Sequence, residues 1–205
     1  MAELAGRVAL VVGAASPLGQ VAAQVLGEAG AFVALSDWSE SAVEKLARQL
    51  VADGGAAKVY PVDASKKLAF QTQLEHLLEK QGQIDILVNA SAVEPTDAIL
   101  EMDEWDWRRA LDLNLGSAFV TMQSVGRVMR ELGGGVMLNL MAPQDGTGAG
   151  SHVYASAAAA LEALSASVRE ELTSHKIRVH ALRLEPRLDA ARAQLLPLCK
   201  LDEPS

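Results

Sequence analysis

The feature that most constrains this chain is a regular alternation of short apolar runs with longer segments of helical periodicity. Arg7–Val12 (RVALVV) is a short apolar run that stops at Gly13. Leu18–Ala29 repeats apolar residues at helical spacing and stops at Gly30. Further strand-like runs follow at Ala31–Leu35, Lys58–Val62, Ile84–Val88, Val136–Leu140 and Ile177–Leu182. Helical stretches separate them at Ser39–Ala52, Lys66–Gln81, Glu104–Leu132 and Ser151–Ser174. Buried apolar strands alternating with helices need a parallel sheet covered on both faces. Right-handed crossovers then give an α/β fold of the Rossmann type, a doubly wound parallel sheet in three αβα layers.

Length and composition narrow this further. The 205 residues suit one domain with a sizeable core, and half of them are hydrophobic. The expected division is a Rossmann-like domain over residues 1–187 and a short C-terminal segment over 188–205. Within that segment LDAARAQLLPLCK predicts one short helix, broken at Pro197. A net charge of −8 argues against nucleic acid or an anionic membrane as partner, since both need a basic face. No apolar run is long enough to span a membrane, and Met1-Ala2-Glu3-Leu4 lacks a charged leader, so the expected location is cytoplasmic. The one cysteine, Cys199, fits a reducing compartment. His152, His175 and His180 have neither metal spacing nor a paired carboxylate, and Trp105 and Trp107 are expected to pack.

The turns after the strands carry the chemistry. The first reads Gly13-Ala14-Ala15-Ser16-Pro17-Leu18-Gly19, a glycine-bounded turn opening a helix, where backbone N–H groups could face a pyrophosphate. Asp37 ends the second strand, 18 residues after Gly19, and Asp63 follows the third. The fourth strand closes with Asn89-Ala90-Ser91-Ala92, and Asn114 lies in Asp112-Leu113-Asn114-Leu115. The fifth strand closes with Asn139-Leu140-Met141-Ala142, Tyr154 opens Tyr154-Ala155-Ser156-Ala157-Ala158, and Pro186-Arg187 follows the sixth. In order and spacing these motifs resemble the short-chain dehydrogenase/reductase family over roughly residues 5–187.

The resemblance implies roles. Gly13, Gly19, Asp37, Asp63 and Asn89 match nucleotide-site positions, with Asp37 suited to the ribose hydroxyls of NAD and Asp63 to adenine. Either aspartate could equally be a helix cap or a solvated strand-end carboxylate. Three family glycines are replaced, by Pro17, Ala92 and Arg187. Pro17 removes an N–H where pyrophosphate should lie, and the Ala92 methyl would crowd the ribose. Tyr154 matches the family's acid/base, and Asn114 its water-organising asparagine, unless Asn114 only satisfies backbone at a helix kink. The family's lysine, four residues after the tyrosine, is Ala158, and its serine, about twelve before, is Ala142. A free tyrosine has a pKa near ~10, so without a cation only about one in a thousand is ionised at pH 7. No cation shares its helix face, and Lys176 lies beyond the helix end. The family also continues further at the C-terminus, through a covering loop and helix to a seventh strand.

These substitutions imply a catalytically inactive subunit of a hetero-oligomeric NAD-dependent dehydrogenase of hydroxyacyl-CoA type. Its partner would be an active short-chain dehydrogenase paralogue, held through the helices carrying Asn114 and Tyr154. The alanines after Tyr154 would allow close approach of another helix; alternatively they pack internally. The expected cofactor is none, or NAD(H) held weakly. Two alternatives stand beside this reading: a weak NAD(H)-dependent oxidoreductase acting on an alcohol or ketone through Tyr154, and a ligand-binding regulatory module using the old pocket.

Overall fold

The computed structural model describes residues 3–143 and 151–200. The chain runs β1 (Val8–Val12), α1 (Pro17–Glu28), β2 (Phe32–Asp37), α2 (Glu40–Ala52), β3 (Ala56–Pro61), α3 (Lys67–Gln81) and β4 (Ile86–Asn89). It continues through α4 (Glu104–Leu111), α5 (Ser117–Leu132), β5 (Gly135–Met141), α6 (Ser151–Leu172), β6 (Ile177–Arg183) and α7 (Leu188–Cys199). The six strands form one sheet in the order β3-β2-β1-β4-β5-β6, and every pair is parallel.

Strand alternation sorts the core into two layers. Ala9 and Val11 of β1 face one way, with Val33, Leu35, Ile86, Val88 and Leu138, against α1, α2 and α7. Val8, Leu10 and Val12 face the other way, with Leu87, Met137 and Val179, against α3, α5 and α6. This is why β1 reads as five consecutive apolar residues, all buried. Between β1 and β4 the chain reverses its direction of travel across the sheet, which leaves a crevice at the carboxyl ends of those strands.

Two elements differ from the sequence expectation. The long helix over residues 104–132 is interrupted by a π-helical turn at Asp112–Gly116. Ser117, the first residue of α5, reaches back to it: its hydroxyl donates to the Leu113 carbonyl at 2.6 Å. At the C-terminus Pro197 does not break the helix: α7 runs through it to Cys199. A proline in the last turn costs a single backbone bond, while Ala191, Leu195, Leu196 and Cys199 bury against the α1 layer. Arg192 also pairs with Glu28 of α1. Residues 201–205 of the expected C-terminal segment lie outside the described residues. Among the described residues no helix is long and apolar enough to cross a membrane.

Candidate functional site

The first βα turn is built around Gly13. Its φ is +75°, and a Cβ there would stand 2.6 Å from the Ala90 carbonyl carbon and closer still to the Ser91 nitrogen. Only glycine lets β1 end this close to β4. Gly19 is as tightly placed, because a Cβ on it would run into the Gly13 carbonyl oxygen. Ser16 ties the turn together. Its hydroxyl donates to the Ala90 carbonyl at 2.6 Å and accepts from the Gly19 N–H at 3.0 Å. Pro17 is the first helical residue and has no N–H. Gly19 is thus spent on the serine cap and Gln20 on the Ser16 carbonyl. Of the N–H groups of residues 17–20, Leu18's alone lies outside the cap.

Asp37 closes the other side of the crevice and is buried. One of its oxygens accepts from the Ala15 N–H and the other from the Ser39 N–H, both at 3.0 Å. It therefore braces the glycine turn as well as facing the crevice. Asp63 has a more crowded carboxylate. One oxygen accepts from the Ser65 N–H at 3.0 Å and the Ser65 hydroxyl at 2.6 Å, and the other from Arg109 of α4 at 3.0 Å. Burial alone would push this carboxyl up; the Ser65 bonds and the Arg109 charge outweigh it and hold the carboxyl below its usual range.

Asn89 points into the protein. Its amide N–H donates to Asn139 at 2.8 Å and its carbonyl accepts from Thr121 at 2.7 Å; Asn139 in turn donates to Ser165 at 2.8 Å. This buried polar chain links β4, β5, α5 and α6. Asn114 sits on the π turn, and its side chain grips Val93 at both ends: the oxygen accepts from Val93 N–H at 2.8 Å and the amide donates to Val93 carbonyl at 2.6 Å. The kink is there, and the backbone that Asn114 satisfies belongs to the loop after β4.

Tyr154 is buried, and its oxygen accepts from the Ala142 N–H at 2.7 Å. Burial is the largest influence on it and raises its pKa above the usual 10.0. The Ala142 N–H works the other way, Glu94 adds to the rise, and Arg183 lowers it by the smallest amount. The phenol is therefore fully protonated at neutral pH, and proton transfer from a group so far from the working pH is inefficient. Ala158 is buried beneath it in the same core layer.

One sequence expectation is corrected here. Trp105 is exposed, at 68%, rather than packed, because α4 begins at the surface; Trp107 is half-buried. Ala92 is exposed on the loop after β4. Arg183, at the end of β6 and in register with Met141, comes close enough to act on Tyr154, although no helix spacing announces it. Its guanidinium is drawn off by Glu162 at 2.7 Å. Arg187 stays apart from the other site residues. It is exposed and pairs with Asp189 at 2.8 Å and Glu185 at 3.9 Å. Among the described residues no group of three or more His, Cys, Asp or Glu could hold a metal ion.

With this geometry in view, residues 7–186 match the model of the short chain dehydrogenase family, and the chain belongs to that family. It is 36% identical over 138 residues to a D-threitol dehydrogenase of Mycolicibacterium smegmatis, an alignment covering 67% of this chain and 53% of the relative. It therefore spans about half the length of that protein. It is 34% identical over 183 residues to a 3-oxoacyl-(acyl-carrier-protein) reductase of Pseudomonas aeruginosa, covering 88% of this chain and 73% of the reductase. Among solved structures, a metagenomic short-chain oxidoreductase in complex with NADP superposes with a TM-score of 0.87 at 26% identity, covering 98% of this chain and 93% of the other.

The family implies a nicotinamide dinucleotide. Gly13, Gly19 and Asp37 suit one. At the base end Asp63 accepts from Ser65 and Arg109, and a carboxylate has acceptor capacity beyond these bonds.

Proposed function

We propose that this chain is a family member that does not carry out hydride transfer by itself, binds NAD(H) weakly or not at all, and serves as the inactive subunit beside an active short-chain dehydrogenase. One observation carries this reading: the Tyr154 oxygen is bonded to the backbone of Ala142, with alanine at both positions that would tune and orient it. A tyrosine so held is a structural acceptor, protonated throughout the physiological range.

The partner surface is the outer face of α5 and α6. Ala157 and Ala158 are buried, but Ala159, Ala160 and Ala163 are exposed, so part of the alanine run is available to another helix. Beside it lies a groove of about 330 Å³, whose apolar walls are Phe119, Met122, Val168 and Leu172. Phe119 is 50% exposed, a large apolar ring standing open on that face. An active paralogue with the same two helices would cover it. The hydroxyacyl-CoA class of substrate would belong to that paralogue.

A second reading has one observation in its favour. Arg183 is a cation near Tyr154, so the chain could act as a slow NAD(H)-dependent alcohol or ketone oxidoreductase. Turnover separates the two. Tyr154→Phe in this subunit leaves turnover of the assembled complex unchanged under the first reading and abolishes turnover of the isolated chain under the second. Phe119→Asp disrupts the assembly under the first; an intact complex with that variant would count against the surface named here.

A further inference from the structure

The segment between β4 and α4 carries most of the chain's excess charge. Residues 94–106 hold six carboxylates, Glu94, Asp97, Glu101, Asp103, Glu104 and Asp106, and no lysine or arginine, a charge of −6 within a net −8. Two of the six side chains are engaged: Asp103 caps α4 by accepting from the Trp105 N–H at 2.7 Å, and Glu104 pairs with Arg108. Among the described residues the carboxylates of Glu94, Asp97, Glu101 and Asp106 have no hydrogen-bond or ion-pair partner.

Three large apolar side chains stand among these acids. Ile99 is 68% exposed, Leu100 89% and Trp105 68%. Local structure puts them there. The Ala98 carbonyl accepts from the N–H groups of Glu101 and Met102, both at 2.9 Å, which closes a turn with Ile99 and Leu100 at its tip. The Asp103 cap then starts α4, with Met102 just before it and Trp107 in its first turn, the two positions of a hydrophobic staple and both half-buried. Residues two apart on a helix point about 200° apart, so a Trp107 turned inward leaves Trp105 turned out. The segment is anchored at both ends, by the Asn114 clamp on Val93 and by the Asp103 cap. Single exposed apolar residues are ordinary, whereas a cluster ringed by charge of one sign marks an interaction surface.

We propose that this patch docks a basic amphipathic helix of a protein partner, whose apolar stripe covers Ile99, Leu100 and Trp105 and whose lysines and arginines meet the surrounding carboxylates. Charge fixes the sign of the partner. The carboxylates repel nucleic acid, anionic membranes and acidic protein faces, and they accept paired N–H bonds from arginine. Trp105 offers a ring face to a cation and an anchor of the kind that carries much of an interface's energy. A helix suits the patch because it brings an apolar stripe and flanking cations on one side, and the segment contains no strand whose edge an extended chain could join. The patch lies on α4 and the residues before it, not on the α5 and α6 side chains named above, and the inference does not rest on that pairing.

The test is an anisotropy titration of the purified chain into a labelled synthetic helix of leucine and lysine, about 14 residues long with its leucines on one face. The parent chain should bind it, more weakly as salt rises from roughly 0.05 to 0.5 M. The matching helix of leucine and glutamate should not bind. Leu100→Ser combined with Trp105→Ser should weaken binding at least about tenfold. Asp97→Asn combined with Glu101→Gln should do the same and flatten the salt dependence. All four side chains are exposed, so the variants should fold, which circular dichroism checks. Glu40→Gln combined with Glu44→Gln on α2 removes the same charge elsewhere and should leave binding unchanged. A parent that does not bind overturns the proposal. So does a folded Leu100→Ser, Trp105→Ser variant that binds within about twofold of the parent, or an equal loss from the α2 pair. A parent that sediments as a dimer, which the Leu100 and Trp105 substitutions return to monomer, also overturns it by making the occupant a second copy.

Discussion

Replacing Tyr154 by phenylalanine distinguishes a structural tyrosine from a catalytic one. The substitution removes one atom, the oxygen that accepts from Ala142 N–H at 2.7 Å, and leaves the ring in place. A buried donor left without its partner costs about 1–3 kcal/mol. Ala142 is half-buried, so water can partly replace the lost acceptor and the lower part of that range applies, about 1–2 kcal/mol. For a domain of this size that is a fall of roughly 2–8 °C in Tm. Urea denaturation followed by tryptophan fluorescence measures it, with an unchanged m-value showing that the unfolded state is the same. A catalytic tyrosine would behave oppositely, with little loss of stability and turnover down by roughly 10²–10⁴. A stability change under about 0.3 kcal/mol, or a complex that loses activity with this variant, refutes the reasoning.

Two further predictions rest on the same geometry. Gly13→Ala places a methyl at φ +75° and 2.6 Å from the Ala90 carbonyl carbon, so the left-handed strain and the shift of β4 together should cost at least about 3 kcal/mol in urea denaturation; a loss under about 1 kcal/mol would show that the turn is looser than described. Cys199 is buried against the α1 layer, and burial pushes its thiol up to about 12 from 9.0. The native chain should not react with Ellman's reagent near pH 8, and rapid native labelling would contradict this burial. Because the folded pKa is the raised one, the thiol's contribution to stability is complete below pH 9 and is lost as pH rises from 9 to about 12. The ceiling on that loss is about 4 kcal/mol. Tyr60 and Tyr154, both raised by burial, add a loss of the same sign above pH 10. Denaturation midpoints measured across that range should fall, and a flat profile would contradict the burial of all three.

Much of the fold was legible because each strand is apolar on both faces and each helix begins or ends at a recognisable residue. Gly13 and Gly19 could be read from their spacing because a tight strand-to-helix turn leaves few alternatives. What could not be read depends on partners distant in sequence. Arg109 meets Asp63 across 46 residues, and no local pattern marks an arginine on one helix as the neighbour of a strand-end aspartate. Arg183 likewise reaches the region of Tyr154 from β6, a different element, and no local pattern marks it. Asn89 looks like a site residue in sequence, yet both its heteroatoms serve a buried chain running through Asn139 and Ser165. Pro197 reads as a helix breaker because local propensity ignores the apolar face that holds α7 in place. The alanines at 142 and 158 could be seen from the sequence, but the bond that Ala142 makes through its backbone could not, since an N–H is common to nearly every residue.

Native mass spectrometry of the untagged protein, purified from the organism that makes it, tests the central claim most directly. The account predicts a stoichiometric complex with a second short-chain dehydrogenase chain, and any nucleotide bound to that chain alone. A homo-oligomer carrying a nicotinamide dinucleotide in every subunit would contradict it.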